Sequence, residues 1–271
     1  MSDNLARPLL HTPLMHPAAS PRRPNVIAIA SGKGGVGKTF FAVTLAHSFA
    51  RRGLSTLLFD GDLGLANVDI QIGLMPKNDL GNVLASKLRL SEAVSRTPGG
   101  FDVIAGKSGS GSLAQLTVGE LVRLRDDLLA IASRYDRVVI DLGAGLDQAV
   151  RVLAGAAGAT MVVAQDEPTA LTDAYAFIKL TLSEDPTAVL RVVINQSASA
   201  RDGKRTYGKL LCACEGFLKV SPPLAGVIRR DAKVKDAIRH QAPLLTRHPT
   251  ADAAQDIEAI AAVFAPPRAV R

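Results

Sequence analysis

Ser31-Gly-Lys-Gly-Gly-Val-Gly-Lys38-Thr39 follows directly on the apolar run Val26-Ile-Ala-Ile-Ala30. Gly32, Gly37, Lys38 and Thr39 stand in register with the pattern G-x-x-x-x-G-K-[ST]. Each part has a chemical task. Gly32, Gly34, Gly35 and Gly37 let the backbone curl so that successive N–H groups, that of Val36 included, point inward at phosphate oxygens. The helix expected to start at Lys38 adds the positive end of its dipole. Lys38 can reach the β- and γ-phosphates, and the Thr39 hydroxyl is placed to ligate Mg²⁺. The pattern lies between a β-branched strand and a helical periodicity, the context it requires. This stretch predicts a nucleotide site in an α/β fold.

Reading outward, residues 38–52 repeat Phe41, Leu45 and Phe49 at i+4 spacing, which predicts a helix with a core stripe. Arg51-Arg52-Gly53 closes it. Residues 54–60 read as a second strand ending in Asp60-Gly61-Asp62. Side chains alternate along a strand, so Asp60 and Asp62 are expected on one side, facing the phosphates. Residues 75–100 read as short helices and turns, and 101–105 as a strand. The Gly106–Ser112 loop lacks the G-K-[ST] ending and reads as a flexible connection.

A helix over 117–134 leads to Asp136-Arg-Val-Val-Ile-Asp141, an apolar strand whose terminal carboxylate fits a role in holding Mg²⁺. Gly143 and Gly145 let the next loop pass near the γ-phosphate. Strands at 160–164, 188–195 and 223–228 alternate with helices at 169–182, 204–219, 230–240 and 250–264. Alternating strands and helices imply one doubly wound domain with a mainly parallel sheet of about seven or eight strands. It spans 25–264, after a proline-rich arm over 1–24 that reads as disordered and before a short tail at 265–271.

No apolar run reaches the roughly 18 residues that span a bilayer, and prolines interrupt any secretory h-region, so a cytoplasmic protein is expected. Two cysteines, Cys212 and Cys214, do not make a disulfide framework, and as C-x-C on a helix they point in different directions. Residues 201–247 carry eleven Lys/Arg against four Asp/Glu, a difference equal to the net charge of +7 of the whole chain. Such a stretch can attract DNA, anionic lipid or an acidic partner, or simply be a solvated face. The last helix has an acidic polar face, which predicts weak or indirect membrane contact.

Lys33 narrows the reading. Lys33-Gly-Gly-Val-Gly-Lys-Thr39 resembles the deviant phosphate loop of the MinD/ParA ATPases. The resemblance covers about 25–264 and implies ATP and Mg²⁺ as ligands, with a homodimer closing around ATP. Lys33 then reaches the partner's nucleotide while Lys38 serves its own. Phe40 departs from the small polar residue usual in that family. Asp60-x-Asp-x-Gly-Leu-x-Asn67-x-Asp69 is similar to the MinD switch segment. By that match Asp62 orients the attacking water, Asp60 belongs with Thr39 and Asp141 in the Mg²⁺ network, and Asn67 lies at the dimer interface.

The resemblance also puts base contacts at Asn195, which is equally an ordinary turn former, and in the loop Arg229-Arg-Asp231. Asp62–Asp69, Glu167–Tyr175 and Val234–Leu245 look most like the FlhG/FleN flagellar-number regulators. That implies a slow ATPase acting as a switch, with a protein partner at the pole or flagellar apparatus. The D-Q-A-x-x-L-R segment and the terminal amphipathic helix of that group are not recognisable. A DNA-partition ATPase of the ParA kind, and a ligase of the dethiobiotin or cobyrinate synthetase kind, are the alternatives.

Overall fold

The computed structural model describes residues 23–106 and 116–265, Ser86 excepted. The arm read over 1–24 lies outside these residues except for its last two, which begin the first strand. The 106–112 connection and the 265–271 tail lie outside except for Gly106 and Ala265. One sheet is formed by β1 (Arg23–Ser31), β2 (Thr56–Gly61), β3 (Val94–Arg96), β4 (Asp102–Ile104), β5 (Arg137–Ala144), β6 (Ala157–Ala164), β7 (Leu190–Ser197) and β8 (Leu224–Arg229). Its order is β3-β4-β2-β5-β1-β6-β7-β8, and β3 alone runs antiparallel to its neighbour.

Strand β1 lies between β5 and β6, and its side chains are buried on both faces. Ile27 and Ile29 enter one layer, Val26, Ala28 and Ala30 the other. Ile27 and Ile29 meet α1 (Lys38–Arg51), α2 (Val68–Ile72), α8 (Ala232–Arg239), α9 (Leu244–Arg247) and α10 (Asp252–Phe264). The opposite layer is filled by α3 (Leu80–Leu84), α4 (Val118–Ala132), α5 (Gln148–Ala154), α6 (Pro168–Glu184) and α7 (Ala200–Ala213). Helix α1 sits between the sheet and α10, so its Phe41, Leu45 and Phe49 are all fully buried. Each such side chain stabilises the fold by about 1.5–3 kcal/mol. Arg52 and Gly53 end the helix, with the Gly53 N–H on the Ala50 carbonyl.

Helix α10 packs on the domain through Ala253, Ala254, Ile257, Ile260 and Ala261. Its acids are matched from within the chain, Asp252 and Asp256 by Arg229, and Glu258 by Arg51. Among the described residues no helix is long and apolar enough to cross a membrane.

The sequence reading needs four corrections. Residues 75–100 hold not only short helices and turns but β3, which pairs Val94 with Ile104 and Arg96 with Asp102 at the sheet edge. A three-residue strand with two polar positions has no periodicity to betray it. Helices α5 and α9 are likewise too short to show a pattern. The basic helix starts at Ala200, capped by Ser199, and widens into a π turn over Cys214–Leu218, with Cys212 exposed and Cys214 buried. The basic stretch is also not one surface. Leu210 of α7 packs in one layer and Ala237 of α8 in the other, so its charges are divided between the two faces of the sheet at β8.

Candidate nucleotide site

The phosphate loop leaves the carboxyl end of β1, the central position where open α/β sheets take ligands. Two of its glycines are required for separate reasons. Gly37 has φ 89° and is the N-cap of α1, with no side chain on the helix's first N–H groups. Those groups are left for an anion. Gly32 is needed for space, because a Cβ there would overlap the main-chain carbonyl of Asp173 in α6. The loop is braced by the Ser31 hydroxyl donating to the Lys33 carbonyl at 2.7 Å, and by the Gly145 N–H donating to the Ser31 carbonyl at 2.9 Å. Phe40 turns its ring into the core, so the departure from a small polar residue leaves the loop's outer surface unchanged.

Lys38 is buried at the start of α1. Burial lowers its pKa, while the carboxylates of Asp141 and Asp62 act the other way. Asp60 and Asp141 are register partners on β2 and β5, so their side chains share a face. Burial pushes both carboxyls up, and for Asp60 the neighbouring Asp141 adds to it. Their surroundings differ. Asp60 accepts from the N–H groups of Asp62, Asn67 and Val68 at 3.1–3.2 Å, and so holds the loop after β2 in place. Both oxygens of Asp141 are buried, and Thr39 and the Lys38 ammonium beside them oppose the upward push of burial. A buried carboxylate is costly unless cations offset it.

The residues therefore fit Mg²⁺ held by Asp141 and Thr39 together with nucleotide phosphates, since this ion usually takes one or two carboxylates plus phosphate oxygens. Asp60 orders the neighbouring loop. Among the described residues no cluster of three or more His, Cys, Asp or Glu forms a metal cage, Cys212 and Cys214 included.

Asp62 lies just past β2. Its Oδ1 accepts from the N–H groups of Gly64 and Leu65, at 3.3 and 2.9 Å, and lies 3.6 Å from the position of a Cβ on Gly143. The carboxylate thus sits between the loops after β2 and β5. Asn67 is exposed at the start of α2. Lys33 stands apart from the loop. Its ammonium donates to Glu167 Oε2 at 2.8 Å and to Thr169 Oγ1 at 2.9 Å, on the first turn of α6.

The three residues expected at the base divide differently. Asn195 is buried, and its Nδ2 donates to the Val36 carbonyl at 2.8 Å, so it touches the phosphate loop itself. Arg229 turns away to α10, where it meets both Asp256 oxygens and pairs with Asp252. Asp231 caps α8 through the Lys233 N–H at 2.9 Å. Sequence reasoning missed Asp173 as the neighbour of Gly32. It also missed that Glu167 and Thr169 receive Lys33, for which the Glu-Pro-Thr helix start was the only signal.

The model of the CobQ/CobB/MinD/ParA nucleotide binding domain matches residues 27–244. The chain is 35% identical to the antiactivator FleN of Pseudomonas aeruginosa over 91% of its own length and 86% of that protein. It is 30% identical to the flagellum site-determining protein YlxH of Helicobacter pylori, over 88% and 81%. Its fold is similar to that of the septum site-determining protein MinD of Pyrococcus horikoshii, solved with Mg-ADP. There the TM-score is 0.75 at 24% identity, over 88% of this chain and 95% of that one. The chain belongs to the CobQ/CobB/MinD/ParA family and is an ATPase.

Proposed function

We propose that this chain is a switch that closes in pairs around ATP, opens on hydrolysis, and controls the number or position of flagella. The observation that carries the dimer is Lys33, whose ammonium is directed to α6 and away from its own phosphate cradle. A cation held there only by a solvent-open pair with Glu167 can exchange that partner for a nucleotide phosphate on a second copy. The flagellar assignment is supported by the likeness to FleN and YlxH over most of each chain.

Within one subunit the loop amides from Gly32 to Thr39 hold the phosphates, and Lys38 neutralises them. Thr39 and Asp141 would hold Mg²⁺, which would offset charge on the nucleotide phosphates. Asp62 keeps Oδ1 on its own loop, while Oδ2 makes no hydrogen bond among the described residues. That oxygen is suited to accept a proton from the attacking water and fix its line of approach. Asp60 positions this loop through three backbone N–H groups.

The partition and ligase alternatives have no support beyond the shared fold. Localisation at the pole through a protein partner follows from the same reading, with α10 committed to the core. The test is sedimentation with ATP, followed by counting flagella on cells that lack the chain or carry Asp62→Ala. A monomer with ATP, or normal flagellation in both strains, would overturn the proposal.

A further inference from the structure

We propose that the surface where α2 meets α8 docks a helix of a protein partner, one with an apolar ridge flanked by acidic residues. The inference rests on the switch reading above and names the chemistry of the partner that reading calls for. Eight large apolar side chains are exposed among the described residues. Four of them, Leu65, Ile70, Met75 and Ile238, fall on the segment after β2 and on the helix it touches. Leu65 stands next but one to Asn67, on the side expected to face a second copy. The other three form the centre of the surface.

The two helices meet at their carboxyl ends. A Cβ on Gly73 would lie 2.9 Å from the Gln241 carbonyl oxygen, and both residues have positive φ, 66° and 49°. Ile70 and Ile238 each stand one turn back from this contact, and Met75 two residues beyond it. All three therefore lie within about two helical turns of one point. Val68 and Ile72 are buried, which turns Ile70 outward, and Met75 is 94% exposed. Lys77 follows Met75, while Lys235 and Arg239 flank Ile238. These three cations are exposed and have no acidic partner among the described residues. The acids close by are already engaged. Asp236 is taken by Arg247 and His248, and Asp69 accepts the Ile70 N–H at 2.8 Å.

The surface is thus apolar at its centre and cationic at its rim. DNA phosphates would use the rim and leave the centre unpaired. A lipid surface needs a whole apolar helix face to lie on it, and three side chains on two short helices do not supply one. Two helices in contact leave a furrow that takes a third, whose apolar anchors recur at i, i+3 or i+4 and i+7. Acids beside those anchors complement Lys77, Lys235 and Arg239. The surface is also tied to the nucleotide. Asp60, the register partner of Asp141, holds the N–H groups of Asn67 and Val68 where α2 begins. Helix α8 starts after Asp231, just past the carboxyl end of β8 and at the same edge of the sheet.

The test places p-benzoylphenylalanine at position 75 of the full chain in cells, with the exposed position 263 on α10 as the control. After irradiation the captured segment is sequenced by mass spectrometry. Position 75 should capture a protein segment with acids beside apolar residues at helical spacing, and position 263 should not. Ile238→Asp and Arg239→Glu should each lower the yield at position 75 at least about tenfold, since each sets like charge against the partner. Arg239 is exposed, so its variant decides the matter if a thermal melt shows Ile238→Asp to be unfolded. No adduct, a basic segment, a lipid, a second copy of this chain, or full yield in Arg239→Glu would overturn the proposal. ATP affinity of Arg239→Glu should match the wild type, and its loss would overturn the proposal too. Equal yield in Lys38→Ala, which loses ATP, would overturn the switch reading and leave the docking surface standing.

Discussion

Lys33 Nζ lies 2.8 Å from Glu167 Oε2, so the second lysine of the phosphate loop rests on α6 of its own subunit. The pair is open to solvent, with side-chain exposures of 37% and 55%. Exposed pairs contribute at most about 1 kcal/mol, so a nucleotide phosphate on a second copy can displace Glu167 readily. Lys38 has no such freedom, being buried beside Asp141. Lys33→Ala is expected to keep ATP binding by the monomer and abolish the ATP dimer, whereas Lys38→Ala loses ATP itself. Nucleotide titration and sedimentation of both variants separate the two. A wild-type dimer from Lys33→Ala would refute the bridging role.

Asp62→Ala should bind ATP normally and turn it over at least about 100-fold more slowly, the usual scale for a group that positions or accepts a proton. Its cradle, Lys38 and Asp141 are untouched. The variant should accumulate as the ATP dimer, read by light scattering during a single turnover. Unchanged hydrolysis would remove Asp62 from the mechanism.

Arg229→Ala and Asp256→Ala should lower the melting temperature by similar amounts and leave ATP affinity unchanged. The guanidinium joins β8 to α10 through Asp256 and Asp252, at 2.9 and 3.0 Å. A double variant no less stable than either single one would show that they act as one unit. If Arg229→Ala instead loses ATP while melting like the wild type, its side chain contacts the base after all.

His47 carries a pH prediction for stability. It is 5% exposed on α1, against the Phe101 ring, and its Nδ1 has no partner. Burial, with Arg51 adding repulsion, lowers its pKa from 6.5 to about 4. The unfolded chain therefore takes up a proton below pH 6.5 that the native state refuses until about pH 4. Stability is fully present above 6.5 and falls as pH drops, by about 2 kcal/mol from this group between pH 7 and 5. His47→Leu should remove that share of the loss in denaturant titrations at the two pH values. Equal losses in variant and wild type would mean that His47 titrates freely.

DNA binding through residues 201–247 is expected to be weak. Arg205, Lys209, Arg229 and Arg247 already have acidic partners within the chain. The remaining charges sit on both sides of β8, so no single duplex meets them all. Titration of a nonspecific duplex at low salt, with ATP, should show little association. Tight binding that weakens steeply with salt and is lost in Lys204→Ala with Lys235→Ala would revive the partition reading.

Much of this was legible in the sequence for a physical reason. The phosphate loop, β1, α1 and β5 are continuous segments whose chemistry and periodicity are local, so Gly37, Lys38 and Asp141 could be placed before any fold was known. Asp60 was found as well, but its engagement by the N–H groups of Asn67 and Val68 depends on the path of the loop. Arg229 shows the limit. Its partner Asp256 is 27 residues away on another element, and no local pattern announces the pair. The turn at Gln241 was hidden too, because a positive φ at a glutamine leaves no mark in the residue type.

Gly32 touches α6 where a phosphate-binding residue would be expected to answer to its ligand alone. Any Cβ there meets the Asp173 carbonyl, whereas one on Gly34 would find only the Ala144 methyl group, at 4.0 Å. The two glycines should therefore have different fates over descent. A lineage that abandoned ATP would release Gly34 to drift, yet keep Gly32 for as long as α6 stays docked. The first glycine of the motif would then persist as a relic of architecture, and its presence in a distant homologue says less about nucleotide binding than does Lys38.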